Sequence, residues 1–139
     1  MNDLVKKDQD QGGLIPYLVG KESGLVLPKP FERDIYLFDS HVAGTSHVEG
    51  IEEIGASLQE GDHLVFYREP ENSHDPQAIW IETVRKEKIG YVPRQDNVVF
   101  SRLMDAGKVL FAKVMEKEMK GTWLKIKIKI YLHESRVTP

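Results

Sequence analysis

The chain has 139 residues, of which 40% are hydrophobic and 29% charged, and its net charge is −3. This length suits one domain with tails, and no apolar run approaches the ~18–20 residues that a membrane helix needs. The chain contains no cysteine, which excludes disulfides, Cys-based zinc sites and a Cys nucleophile. Since "MNDLVKKDQDQGG" lacks the apolar stretch of a secretory signal, we expect a cytoplasmic protein.

Charge is distributed unevenly along the chain. Residues 31–107 contain seven basic and fifteen acidic residues, whereas residues 108–139 contain eight basic and three acidic ones. A protein of negative net charge can still present a basic stripe to nucleic acid. The alternative is that the C-terminal strands simply have a solvated lysine face, and charge alone does not decide between the two.

We expect residues 1–30 to be a flexible lead-in, because they include the polar "KKDQDQGG" and the proline-containing "LPKP". Two short apolar pieces, "LIPYLVG" and "GLVL", could instead pack as an added strand or against a partner. The domain proper is expected at residues 31–134, followed by a C-terminal tail at 135–139.

The first half of the domain reads as strands around one short helix. Alternation in "DIYLFDSHVAG" predicts a strand. Ile51, Ile54 and Leu58 are spaced three and four apart, which favours a short helix that ends before Gly61. The apolar runs "HLVFYRE", "AIWIETV" and "KIGYVP" predict three further strands.

The period changes to a helical one in "RQDNVVFSRLMDAGK". Val99, Leu103 and Ala106 share one helical face, with Phe100 beside them. We expect Asp96 or Asn97 to cap the start of this helix and Gly107 to end it. The next two runs, "KVLFAKVMEKE" and "TWLKIKIKIYL", predict a hairpin around "MKGT".

The last strand alternates most clearly, and its polar side is a candidate binding surface. Leu124, Ile126, Ile128, Ile130 and Leu132 would face the core. The other side, called the lysine face below, carries Trp123, Lys125, Lys127, Lys129 and Tyr131. Aromatic rings between lysines suit a single-strand groove, but a solvated outer strand has the same pattern, and we favour the second interpretation. About six strands with one or two helices predict a mainly β protein, a small, strongly curved β-barrel.

The connection "YREPENSHDPQAIW" concentrates turn formers and hydrogen-bonding side chains. Pro70 ends the strand because it has no N–H to donate. Asn72 and Asp75 can each bind backbone N–H groups a residue or two further on, and Pro76 restricts Asp75 to extended conformations. We therefore predict a stiff loop that presents His74, either to a ligand or simply to solvent.

Several motifs resemble those of the HIRAN domain family. The stretch "EPENSHDPQAI" is similar to the family's R-E-P-x-N-x-x-D-x-x-A-I signature, and "KIGYVP" follows at the usual distance. The stretches "HVAGTSHVEG" and "LQEGDHLVFYRE" precede it, and "LMDAG" ends the helix that follows. The resemblance covers roughly residues 34–131.

The resemblance implies a six-stranded OB-like β-barrel that binds single-stranded DNA and captures a free 3′ end in DNA repair or replication, and the sequence leaves RNA open as an alternative ligand. The binding residues carried over by position are Ser46, His47, Val48, Asn72, His74, Asp75, Tyr91 and Arg94. DNA-binding relatives have an arginine and two aromatic residues where this chain has Ser46, His47 and Val48. Base stacking contributes roughly 1–3 kcal/mol per base, so we expect weaker binding or a different strand preference.

In the family, the aspartate equivalent to Asp75 can accept a hydrogen bond from a terminal 3′-hydroxyl, while Tyr91 can stack on a base and Arg94 can hold a phosphate. We expect no catalytic residues, cofactor or metal. The chain has no G-x-S-x-G motif and no Walker A loop, and nothing in the spacing of His41, His47 and His74 supports a metal site. One alternative is a protein-interaction adaptor that uses the N-terminal apolar segments, and another is a metal-binding, hydrolase-associated domain.

Overall fold

Six strands, two α-helices and one short 3₁₀ turn make up residues 30–137, which are the residues that the structure, a computed structural model, describes. Nearly all of the predicted lead-in therefore lies outside the described residues, as do the last two residues of the predicted tail. The elements, in chain order, are β1 (Pro30–His41), the 3₁₀ turn (Thr45–His47), α1 (Ile51–Ser57), β2 (His63–Arg68), β3 (Ile79–Thr83), β4 (Lys88–Tyr91), α2 (Arg94–Asp105), β5 (Val109–Lys120) and β6 (Trp123–Val137). The prediction of a mainly β protein is confirmed.

The strands form one curved sheet in the order β1-β6-β5-β2-β3-β4. The β5–β6 hairpin and the β2–β3, β2–β5 and β3–β4 pairs are antiparallel. The sheet is not closed by a continuous ladder as a strict barrel would be. Its two edges meet at a single bridge, where Ala43 and Tyr91 exchange backbone hydrogen bonds of 2.7 and 2.9 Å. The result is an open, OB-like fold.

Gly90 allows the two sheet edges to come this close. Its φ is +152°, and a Cβ atom there would lie 2.4 Å from the carbonyl oxygen of Ala43 and 2.6 Å from a methyl group of Val42. A side chain would push the edges apart at the bridge. The close approach of the two edges therefore requires a glycine at this position of the "KIGYVP" motif.

The core lies between the sheet and the helices, and β6 supplies much of it. Leu124, Ile126, Ile128 and Ile130 are buried, as the alternation predicts. Each such side chain stabilises the fold by roughly 1.5–3 kcal/mol. The lysines between them point to the outer surface of the sheet.

Helix α2 differs from its prediction in how it begins and in which face it buries. It starts at Arg94 after Pro93, without a side-chain cap from within the described residues. The predicted caps are wrong because both candidates have other partners: Asp96 accepts a hydrogen bond from Ser40, and Asn97 is buried against Asp75.

The packed face of α2 contains Phe100 and Ser101, whereas Val99 is 63% exposed. Gly107 does adopt the left-handed conformation expected at the helix end, with φ of +92°. Neither helix of the described part is long and apolar enough to cross a membrane.

Candidate nucleic-acid interface

The loop between β2 and β3 is held by its own side chains, as its sequence predicts. The Oδ1 atom of Asn72 accepts the backbone N–H groups of His74 and Asp75 at 2.8 and 3.0 Å. Its amide nitrogen donates to Oε1 of Glu69 at 2.8 Å. Each of these bonds fixes an otherwise irregular backbone, so the loop is stiff and His74 is displayed at its exposed tip.

Asp75 links this loop to helix α2. Its Oδ1 atom accepts the backbone N–H of Gln77 at 2.9 Å, and its Oδ2 atom accepts Nδ2–H of Asn97 at 2.8 Å. Burial by itself would raise the pKa of Asp75, but the hydrogen bonds from Asn97 and Gln77, with the positive charges of Arg94 and Arg68, outweigh it and lower the pKa. The carboxylate is therefore ionised at neutral pH, and its side chain remains 16% exposed.

Arg68 fastens the other end of the loop. It donates to the carbonyl oxygens of Ala78 and Pro76 at 2.7 and 3.0 Å. It also forms an ion pair of 2.8 Å with Asp105 at the end of α2. Helix α2 therefore holds the loop at two places, near Asp75 and near Arg68, which keeps the spacing between the helix and the loop constant.

Tyr91 faces the loop from strand β4. Its hydroxyl donates to Oε1 of Glu69 and accepts from Nζ of Lys88, both at 2.8 Å. Hydrogen bonds from Asn72 and Tyr91, with the charge of Lys88, lower the pKa of Glu69. An ionised Glu69 thus ties the tyrosine ring to the same loop that Asp75 anchors.

Arg94 supplies an exposed cation beside Asp75. Its Nη2 atom donates to the carbonyl oxygen of His74 at 3.3 Å, and its Nε atom lies 3.6 Å from Oδ2 of Asp75. The side chain is 77% exposed. Most of its donors therefore remain available to an anion in solution.

These groups surround a cavity of about 330 Å³. Its lining consists of Ala43, Gly44, Asn72, His74, Asp75, Ala78, Tyr91, Val92, Arg94 and Asn97. Five of the eight predicted binding residues thus meet at one place, although they come from a loop, a strand and a helix. The cavity lies next to the bridge that joins the two sheet edges.

The other three predicted residues do not line this cavity. Ser46 and His47 are exposed in the 3₁₀ turn, and Val48 is half-buried just after it. Thr45 anchors the turn, since its buried hydroxyl donates to the carbonyl oxygen of Leu124 at 2.8 Å. The turn therefore borders the cavity through Ala43 and Gly44 only, and it adds neither a cation nor a stacking aromatic ring there.

The lysine face lies on the outer surface of the β5–β6 hairpin, and several of its members already have neighbours. Lys127 forms an ion pair of 3.4 Å with Glu116. The ring of Tyr131 stacks on Phe111 with centroids 5.3 Å apart. Trp123, at the hairpin turn, is partly exposed. The arrangement resembles an ordinary solvated strand face.

Sequence reasoning missed two residues that shape the site. The sequence offers Asn97 as a helix cap, yet the residue is 2% exposed and is the partner of Asp75. The sequence places Glu69 at the end of a predicted strand, yet its carboxylate joins Asn72 to Tyr91. The position of Asn97, three residues before the buried Phe100, was a usable signal, because a polar residue on a packed helical face needs a partner.

No three His, Asp or Glu side chains between residues 30 and 137 form a group that could hold a metal ion. His47 and His74 are both exposed. The carboxylate that follows His74 in the chain, that of Asp75, accepts hydrogen bonds from Asn97 and Gln77.

The family model of the HIRAN domain matches residues 35–135. The chain therefore belongs to the HIRAN domain family, a family of nucleic-acid-binding modules. The resemblance found in the sequence is confirmed.

Two solved structures share this fold. One is the crystal structure of a protein from Lactobacillus plantarum, a target of the Northeast Structural Genomics Consortium, with a TM-score of 0.70 and 25% identity over 75% of this chain and 99% of that chain. The other is the HIRAN domain of human HLTF, with a TM-score of 0.57 and 14% identity over 72% of this chain and 78% of that chain. The second likeness concerns the fold alone. No curated protein matches the sequence.

Proposed function

We propose that this chain binds single-stranded nucleic acid, DNA in the first instance, and recognises a free 3′ end in the cavity beside Asp75. The observation that carries the proposal is the convergence of an ionised carboxylate, an exposed guanidinium and an aromatic ring on one cavity. These three groups match the three parts of a terminal nucleotide, namely its hydroxyl, its phosphate and its base.

The carboxylate of Asp75 would tell an end from the interior of a strand. An ionised carboxylate accepts a hydrogen bond from a hydroxyl and repels a phosphate. Each of its oxygens already accepts one hydrogen bond, but a carboxylate oxygen has a second lone pair. A terminal 3′-hydroxyl can therefore be accepted without breaking the bonds that hold the loop.

Arg94 would hold the phosphate on the 5′ side of the terminal nucleotide. A guanidinium binds phosphate through two parallel N–H groups. Arg94 is also the first residue of α2, where the helix dipole adds partial positive charge. The ring of Tyr91, fixed by its bond to Glu69, gives the terminal base a surface to stack on.

We further propose that the chain acts as a binding module in DNA repair or replication and that it is not an enzyme. Asp75, which lines the cavity, and Glu69, which is bonded to Tyr91 beside it, support this, since both accept hydrogen bonds that favour their ionised form. A general acid needs the opposite shift. RNA would satisfy the same three contacts, and the absence of stacking rings at Ser46, His47 and Val48 leads us to expect modest affinity.

A protein-interaction adaptor is the second candidate, and an apolar groove favours it. The groove, of about 440 Å³, lies between β1 and α2, and its apolar walls include Leu37, Phe38, Val99 and Leu103. A nucleic-acid complex weakens steeply with salt because counterions are released on binding. Docking through this groove would depend little on salt.

The proposal is tested by fluorescence anisotropy with three labelled ligands at low salt. They are a short single strand with a free 3′-hydroxyl, the same strand with a 3′-phosphate, and a blunt duplex. We expect the hydroxyl-ended strand to bind at least about tenfold more tightly than the phosphate-ended one, because one charge-assisted hydrogen bond contributes about 1.5–3 kcal/mol.

The preference should disappear in Asp75→Asn, which removes the charge and keeps the size of the side chain. Asp62→Asn is the matched control. Asp62 is also a loop carboxylate that accepts a backbone N–H, from Gln59 at 2.9 Å, but it does not line the cavity. If wild-type protein binds none of the three ligands, the nucleic-acid proposal is wrong.

A further inference from the structure

Three aromatic residues form a row that leads away from the cavity across the outer surface of the sheet. Tyr67 of β2 is the register partner of Trp80 of β3, and Trp80 is the register partner of Tyr91 of β4. Directly paired residues of neighbouring strands point to the same face. The row spans two strand spacings, about 10 Å, and Tyr91 is its end inside the cavity.

Tyr67 is an exposed ring that the fold supports from one side. It stacks on Trp80, with centroids 5.2 Å apart and an interplanar angle of 29°. The residue is 38% exposed. Its hydroxyl donates to no group and its second face meets no other ring within residues 30–137. A tyrosine that served only to fill the core would have neither a free hydroxyl nor an open ring face, since buried tyrosine hydroxyls usually find a partner.

Trp80 is held in a defined orientation. Its indole N–H donates to Oε2 of Glu82 at 2.9 Å, and Tyr67 covers one of its faces. A ring fixed in this way loses little conformational freedom when a base stacks beside it. The pair thus has the properties of a preformed stacking surface.

Lys88 places a cation between this pair and the cavity. Its Nζ atom lies 4.4 Å from the ring centroid of Tyr91 and 5.6 Å from that of Trp80. Lys88 is exposed, and its ammonium donates one N–H to the Tyr91 hydroxyl, which leaves two N–H groups for a phosphate that passes between the rings. Glu82, the acid beside Trp80, is engaged with the indole.

We propose that the Tyr67–Trp80–Lys88 surface is a second subsite, which binds the nucleotides that precede the captured end. The bases stack on Tyr67 and Trp80, and Lys88 neutralises a phosphate between them and the cavity. A length of about 10 Å corresponds to about three nucleotides at the ~3.4 Å rise of a stacked strand. This inference rests on the proposed function, because the cavity defines where the strand begins.

The test compares oligothymidylates of two and six nucleotides, each with a free 3′-hydroxyl. Wild-type protein should bind the hexanucleotide more tightly than the dinucleotide. Tyr67→Ser should weaken hexanucleotide binding by about 5- to 150-fold, the range expected for loss of one stacked base, and change dinucleotide binding little. The ratio between hydroxyl-ended and phosphate-ended strands should stay as in wild type, whereas Tyr67→Phe should bind like wild type.

Tyr36→Ser is the matched control, because Tyr36 is 51% exposed on another part of the sheet. A spectroscopic readout is independent of affinity. Trp80 and Trp123 are the two tryptophans of the chain, so Trp123→Phe leaves Trp80 as the sole tryptophan. The hexanucleotide should quench the fluorescence of Trp80 in the protein that retains Tyr67, and it should quench it less when Tyr67→Ser is added.

Three results would overturn the inference, and they fall into two distinguishable classes. The wild-type protein could prefer a 3′-hydroxyl yet bind two and six nucleotides with equal affinity, or Tyr67→Ser and Tyr36→Ser could lose equal affinity for the hexanucleotide. Either result would rule out the second subsite and leave the end-binding cavity. If the wild-type protein bound no single strand at all, both the proposed role of the cavity and the second subsite would be wrong.

Discussion

The cavity and the lysine face are two surfaces of one sheet that use different means to present polar groups. At the cavity, Asn97 donates to Asp75 and Tyr91 donates to Glu69, each through a hydrogen bond of 2.8 Å. On the lysine face, Lys127 pairs with an exposed carboxylate, and Lys129 lies 5.7 Å from the ring centroid of Tyr36. The cavity has fewer cations, yet its groups are fixed in position.

Local charge and fixed geometry therefore favour different surfaces of this protein. Exposed ion pairs contribute about 0–1 kcal/mol, and salt screens them. A preformed set of donors and acceptors avoids the entropy lost in ordering flexible side chains at the time of binding. We therefore expect substitutions around the cavity to have large effects and matched substitutions on the hairpin to have small ones.

The largest expected effect concerns stability, at the bridge beside the cavity. Gly90→Ala should lower the free energy of unfolding by about 2–5 kcal/mol, because overpacking and backbone strain add together. Gly121, in the β5–β6 turn, also has positive φ, +65°, but a Cβ there would have no atom of the described residues within 4 Å. Gly121→Ala should therefore destabilise by only about 1–2 kcal/mol. Urea unfolding measures both, and equal losses would contradict a special role for the bridge.

A second prediction concerns the partner of Asp75. Asn97→Leu should destabilise the protein by about 1–3 kcal/mol, because it leaves a partly buried carboxylate oxygen without its donor. It should also reduce the preference for a hydroxyl end. Ser101→Ala is the control, since Ser101 donates to Gln77 on the same loop and its loss leaves Asp75 paired. Stability and end preference should fall together in the first variant, whereas the second should keep its end preference.

A third prediction compares one cation from each surface. Arg94→Gln should weaken strand binding and reduce the slope of log affinity against log salt by about 0.7, the value for one phosphate contact on a single strand. Lys127→Gln should leave this slope unchanged. Anisotropy titrations between 50 and 200 mM salt would measure both. If Lys127→Gln changed the slope as much as Arg94→Gln, the result would indicate that the strand binds on the lysine face.

The smallest effect concerns acid stability. The pKa values of Asp75 and Glu69 are lowered in the folded protein, so the folded state favours their ionised forms. Their contribution to stability is present in full above the unfolded pKa values of about 3.9 and 4.3 and is lost as pH falls through the lower folded values. Thermal unfolding from pH 7 to pH 3 should show a shallower decline in Asp75→Asn than in wild type. Identical declines would mean that the carboxylate is not stabilised in its ionised form.

Sequence periodicity predicted most of the fold because burial follows it closely. Alternation located β6 and its buried side chains, and the Pro and Gly positions located the turns. The capping of α2 was not predictable, because Asp96 and Asn97 have partners on β1 and on the β2–β3 loop that only tertiary packing brings near. The barrel was too strict a description, since whether the sheet edges close depends on pairing that a linear pattern does not contain.

The candidate site was predictable in part, through motif resemblance. Asn72, His74, Asp75, Tyr91 and Arg94 do meet in space. The position of Ser46, His47 and Val48 outside the cavity lining could not be read from the sequence, because it depends on how the 3₁₀ turn is anchored through Thr45. The Tyr67–Trp80–Tyr91 row depends on strand register, which brings residues that are distant in the chain opposite one another. The sequence pattern does not specify this register.

The most direct test of where the strand binds is an amide NMR titration with a hexanucleotide that has a free 3′-hydroxyl. We expect the largest chemical-shift changes at His74, Asp75, Tyr91 and the side-chain amide of Asn97, with little change along β6. Changes concentrated at Lys125, Lys127 and Lys129 would contradict this expectation and would place the strand on the lysine face.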